Sequence, residues 1–153
     1  MNNKGFSLVE LIIVIAIMAI LIVVLAPQYL KYVERSRNST DLQSVTEFKD
    51  ACEIYAADPE ATKPFKKGDT FTVTATNTAA TLSDTGDGSV AAALADTGLT
   101  IDSLKCQSRT RWSKFVVKGT IKDNGSIEWD YTGSEGDFAD AIQGKTTSAS
   151  ASS

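Results

Sequence analysis

A chain of 153 residues, with net charge −4 and 42% apolar residues, can hold one modest domain plus one membrane-length segment, and it lacks the basic footprint that nucleic acid demands. It has no histidine and two cysteines, Cys52 and Cys106, which excludes Ser-His-Asp triads, histidine acid–base work, zinc clusters and a CxxC redox motif. There is no Walker A sequence and no recognisable catalytic set of carboxylates, Lys, Tyr and Ser, so the chain reads as a non-enzyme with no metal and no cofactor.

The apolar residues are concentrated near the N-terminus. Met1-Asn2-Asn3-Lys4-Gly5 is followed by Phe6-Ser7-Leu8-Val9-Glu10, and residues 11–26 carry no charged or strongly polar side chain. As a helix, residues 6–26 would span about 30 Å, the thickness of a bilayer's hydrocarbon core. The apolar run is too long for a secretory signal peptide, and Pro27 directly after Ala26 is a poor cleavage site. A lipoprotein would need a cysteine at the cleavage point. A plain single-span anchor fits the hydropathy but leaves Glu10 unexplained, because a carboxylate in a membrane segment costs about 2.5–3.5 kcal/mol at the centre and less near an end. If the chain were cut after Gly5, the new α-amine of Phe6 would lie one helical turn from Glu10. The two could then neutralise each other, within one chain or between neighbours.

Gly5-Phe6-Ser7-Leu8-Val9-Glu10-Leu11, after a short leader with a lysine and before a long apolar run, resembles the class III signal of type IV prepilins and pseudopilins. The resemblance is strongest over residues 1 to about 35. It implies a leader of residues 1–5, removed between Gly5 and Phe6 by a prepilin peptidase whose narrow site favours glycine and which then methylates the Phe6 amine. It implies that Glu10 attracts the Phe6 amine of an adjacent subunit during assembly into a homopolymer through the N-terminal helices, with an assembly platform and a motor ATPase as further partners. The precursor would sit in the cytoplasmic membrane as a single-pass chain, N-terminus inside, before joining an extracellular pilus. Lys31, Arg35 and Arg37 flank the span on its far side, so the positive-inside rule alone does not give this orientation. Pro27 also matches a family position, where a helix kink or local opening is expected; a simple helix break at the membrane boundary is the other reading. The implied function is a structural subunit, a major pilin, of a filament for adhesion or motility. The alternatives are a pseudopilin of a type II secretion or DNA-uptake machine, and a single-span anchored binding protein that never polymerises.

After Pro27 the pattern stays helical to about residue 57. Leu42, Val45, Phe48, Cys52 and Tyr55 recur at spacings of three and four, with Asp41, Glu47, Asp50 and Glu53 assigned to the opposite, solvated side. The polar run 35–41 is expected to stand clear of the rest, and Asp58-Pro59 to end the helix. The fold class is therefore α+β: a long N-terminal helix, with a protruding apolar half and an amphipathic half, packed on a small antiparallel sheet. The expected segments are 6–30 for the membrane and filament-core helix, 31–57 for its amphipathic continuation, 58–145 for a globular head and 146–153 for a flexible Ser/Ala/Thr tail.

Within the head, residues 70–75 alternate as a strand, and residues 89–95 suggest a short helix with Ser89 as its cap and Gly98 beyond its end. Residues 114–121 and 126–131 form a hairpin around Asn124-Gly125. In an oxidising compartment a Cys52–Cys106 disulfide would add about 4 kcal/mol in chain-entropy terms; one buried thiol and one incidental thiol is the alternative. Asp84-Thr85-Gly86-Asp87-Gly88 reads as a turn rather than a calcium loop. Lys105, Arg109, Arg111, Lys114, Lys118 and Lys122, followed by Glu128, Asp130, Glu135, Asp137 and Asp140, read as a solvated face or as opposite-sign surfaces that meet on neighbouring heads.

Overall fold

The structure, a computed structural model, describes residues 5–145. Four of the five expected leader residues and the expected Ser/Ala/Thr tail at 146–153 lie outside the described residues. The order is α1 (Leu8–Ala57), β1 (Thr70–Thr76), β2 (Ala80–Asp84), α2 (Ser89–Thr97), a 3-10 turn (Ile101–Leu104), β3 (Lys114–Ile121), β4 (Ile127–Asp130) and α3 (Phe138–Ile142). The four strands form one antiparallel sheet in the order β2-β1-β3-β4. The fold is α+β. The chain divides into two compact units inside α1, Met1–Ser36 and Arg37–Ser153.

In the first unit α1 is apolar all round from Leu11 to Ala26, and its large side chains from Leu8 to Leu25 are all exposed. Pro27 lies inside α1 and does not end it. A proline forfeits one backbone hydrogen bond and crowds the preceding turn at a cost of about 3 kcal/mol, which a helix of this length absorbs. The helix stops at Ala57, just before Asp58-Pro59, where Asp58 donates to the Tyr55 carbonyl at 3.3 Å and the Asp58 carboxylate accepts from the Glu60 N–H at 2.8 Å.

In the second unit, Val45, Phe48, Cys52 and Tyr55 of α1 join Phe71, Val73 and Ala75 of β1 and Phe115, Val117 and Ile121 of β3 in one buried core. β1 alternates strictly: its threonines face outward half-buried and its apolar residues face inward. Phe48 meets Phe71 and Trp129 edge-on, each at 6.1 Å. Phe71 pairs across the ladder with Gly119, and a Cβ at 119 would collide with the phenyl ring; the glycine makes room for the aromatic. The β3–β4 turn is a three-residue loop. The Lys122 carbonyl accepts from the Gly125 N–H at 3.0 Å, and the Lys122 N–H donates to the Ser126 carbonyl at 2.9 Å, with Gly125 at φ +82°.

The structure departs from the sequence expectation in several places. β2, the 3-10 turn and α3 were not anticipated, yet α3 delivers Phe138, whose ring stacks on Phe115 at 4.6 Å and meets Trp112 edge-on at 5.3 Å. α2 begins with Gly88, not Ser89, at its N-cap; Gly88 is left-handed at φ +81°, and Ser89 is buried. The Asp84 carboxylate does the capping work, accepting from the Gly86 N–H at 2.8 Å and the Val90 N–H at 3.3 Å. The sharpest difference is at Asp41. It does not lie on a solvated side but is 1% exposed, and Asn38 is also buried, so the run 35–41 does not stand clear as expected. Positions 38 and 41 continue the three-and-four spacing of Val45, Phe48, Cys52 and Tyr55, and the stripe ends in polar residues that still face inward.

Asp41 holds the loop between the 3-10 turn and β3. Its carboxylate accepts from the Gln107 N–H (2.6 Å), the Ser108 N–H (2.9 Å), the Trp112 indole N–H (2.8 Å) and the Cys106 thiol (3.5 Å). Asn77, just after β1, donates its side-chain amide to the Cys106 and Ser108 carbonyls of the same loop at 2.9 and 2.7 Å. The buried carboxyl oxygens are thus met by several donors, the condition under which burying them is tolerable. Asp41→Asn should destabilise the head by at least about 2 kcal/mol, since an amide cannot accept from every donor and turns one of its own donors toward them. Urea unfolding of the full chain in detergent, followed by tryptophan fluorescence, checks this.

Candidate functional site

The N-terminal segment is built around a reciprocal pair of hydrogen bonds. Ser7 precedes the first helical residue, and its carbonyl accepts from the Leu11 N–H at 3.2 Å. Its hydroxyl oxygen accepts from the Glu10 N–H at 3.2 Å, while Glu10 Oε2 accepts from the Ser7 N–H at 2.9 Å. This is a capping box, the S-x-x-E pattern in which two otherwise orphaned backbone donors are satisfied by each other's side chains. The Glu10 carboxylate also lies at the positive end of the helix dipole. The letters of the box are present in the sequence, where Glu10 reads as an unusual charge in an apolar segment and as an assembly residue, but not as a helix cap.

Gly5 and Phe6 lie outside the helix, and Phe6 is 93% exposed. Among the described residues nothing approaches within 4 Å of the place a Cβ on Gly5 would occupy, and Gly5 is not among the positive-φ glycines. The described fold therefore makes no demand for glycine at this position. Beyond the box, α1 offers a segment long and apolar enough to cross a membrane, none of it buried within the subunit.

The two cysteines are not joined. Both are buried thiols, in different surroundings. Cys52 lies about 16 Å along the helix from Asp41 at 1.5 Å per residue. The Cys106 sulfur sits 3.5 Å from the Asp41 carboxylate, in other surroundings than those of Cys52. Cys52 faces the core, where burial, with smaller contributions from Glu53 and Asp84, pushes its thiol up to about 12.

The basic and acidic residues read from the sequence as a solvated face, or as surfaces meeting on neighbouring heads, are in part paired within one head. Arg111 grips Asp137 through two hydrogen bonds at 2.8 and 2.6 Å, and Lys122 pairs with Glu128 at 2.6 Å across the β3–β4 hairpin. Lys118 stands opposite Asp130 in the same ladder. In the Asp84–Gly88 stretch, Asp84 ends β2 and residues 85–88 bend the chain into α2; among the described residues no group of three or more acidic or cysteine side chains is arranged to hold a metal.

Residues 1–26 match the family model of the prokaryotic N-terminal methylation motif. The N-terminus is that of a type IV pilin-like prepilin. The match covers the capping box and most of the exposed apolar run and stops just short of Pro27. No solved structure matches the chain. A prepilin of this kind, or a pseudopilin precursor, is a structural subunit, and its apolar helix fits a membrane-anchored precursor.

The raised Cys52 thiol gives a direct check on the head. Alkylation at pH 8 followed by peptide mapping should leave Cys52 unmodified in the folded prepilin and label it fully in denaturant. The folded thiol ionises at a higher pH than the unfolded one. Its contribution to stability is therefore complete below the unfolded value near 9 and is lost as pH rises from there toward about 12.

Proposed function

We propose that this chain is the major structural subunit of a type IV pilus-like surface filament serving adhesion or motility. The carrying observation is a single carboxylate, Glu10, in the first turn of an apolar helix that its own subunit leaves uncovered, within a segment matching the methylation motif. A helix apolar on every side is stable only when lipid or other helices cover it. In the precursor the membrane does so, with the leader on the cytoplasmic side. A prepilin peptidase removes residues 1–5 between Gly5 and Phe6 and methylates the new amine. The indifference of the described fold to a side chain at Gly5 supports a requirement set by an outside enzyme. Assembly by a platform and a motor ATPase then exchanges lipid contacts for helix–helix contacts, with Glu10 drawing the Phe6 amine of the neighbouring subunit. Pro27, lacking an N–H, provides a place where the packed helix can give.

Mass spectrometry of filaments sheared from the cell surface should find this protein beginning at N-methylated Phe6. A chain so processed but confined to the membrane fraction would favour a pseudopilin, and one that keeps Met1 everywhere would sink the filament reading. Glu10→Ala should leave the protein in the membrane while surface filaments fall at least about tenfold, the loss expected when a charge pair is removed from a low-dielectric contact. Quantitative immunoblotting of sheared and membrane fractions reads both.

A further inference from the structure

We infer that Ser7 is a positioning residue for leader removal: its cap holds the Gly5–Phe6 bond outside the helix and so presents it extended to the peptidase. The inference rests on reading the chain as a processed prepilin. Hydrolysis there adds water to the Gly5 carbonyl carbon and breaks its bond to the Phe6 nitrogen, which leaves as the amine after taking a proton. A carbonyl inside a helix is committed to an N–H four residues on, and adjoining turns cover its faces, so a nucleophile reaches it only where the chain is not helical.

Where a helix stops is set by how its first backbone donors are satisfied. In water solvent can do this, but at the edge of an apolar layer solvent is scarce, and a helix without a cap gains by extending toward its N-terminus. Ser7 and Glu10 prevent this by closing two of those donors on each other, at 2.9 and 3.2 Å. The N-cap residue takes a non-helical backbone conformation, so the chain leaves the helix at Ser7, one residue beyond the bond to be cut. The exposure of Phe6 and the open space around Gly5 fit a segment that is available to an enzyme.

The test uses the full-length precursor in detergent micelles with a prepilin peptidase, for wild type, Ser7→Ala and Ser7→Thr. The rate of leader removal and the Cα chemical shift of Phe6 are both measured. Ser7→Ala should be cut about tenfold more slowly, the size of effect that loss of an N-cap can produce, with the Phe6 shift moving to a helical value. Ser7→Thr, which can form the same box, should stay within about twofold of wild type and keep the extended shift. Cleavage of Ser7→Ala at the wild-type rate would overturn the inference. So would slow cleavage with an unmoved Phe6 shift, which would mean that the peptidase reads the hydroxyl itself. A wild-type chain left uncut would instead overturn the reading of the chain as a processed prepilin.

Discussion

One helix has to satisfy two environments, and the rest of the structure follows from how α1 does so. Over its first turns nothing in its own unit covers the apolar side chains, so stability there comes from lipid or from other helices. Over its last turns the apolar residues narrow to a single stripe, and the sheet covers it. The backbone remains helical throughout because that is the one arrangement that satisfies its own hydrogen bonds wherever water is absent. The ends of the helix are fixed by different means. Ser7 and Glu10 close the start by mutual hydrogen bonding, and Asp58-Pro59 closes the end by excluding a further turn.

The head is organised around a buried carboxylate as well as an apolar core. Asp41 gathers the loop leading into β3, with Asn77 holding that loop from the end of β1. Helix, strand and loop are thereby tied through groups that would be costly to bury singly. The aromatic cluster of Trp112, Phe115, Tyr131 and Phe138 lies beside this network and draws in the short α3. Cys106 belongs to the same neighbourhood, which is why it sits at the opposite end of the buried stripe from Cys52.

The parts legible in the sequence were those whose signal is local and repeated. Alternation gave β1 and β3, Asn124-Gly125 gave the hairpin, and three-and-four spacing gave the second half of α1. β2 was obscure because it is an edge strand whose one large apolar residue is Leu82, too little for an alternating pattern. α3 was obscure because five residues hold little more than one helical turn, and its place is decided by Phe138 finding the core. Asp41 was misassigned because polarity outweighed position, although its spacing from Val45 already put it on the buried stripe. At the N-terminus the motif was legible as a processing and assembly signal, while the capping box within the same letters emerged only from the reciprocal hydrogen bonds.

The strict alternation of β1 has a consequence for how such a chain can change over generations. Phe71, Val73 and Ala75 are bound to the core, and Phe71 also ties β3 to a glycine, so these positions have little freedom. Thr72 and Thr74, with Thr81 and Ser83 beside them on β2, share the other face and contribute almost nothing to the core. One strand thus sets two levels of constraint on substitution, residue by residue. Its outward letters are free to be rewritten by whatever meets the surface, while the inward letters keep the fold the same.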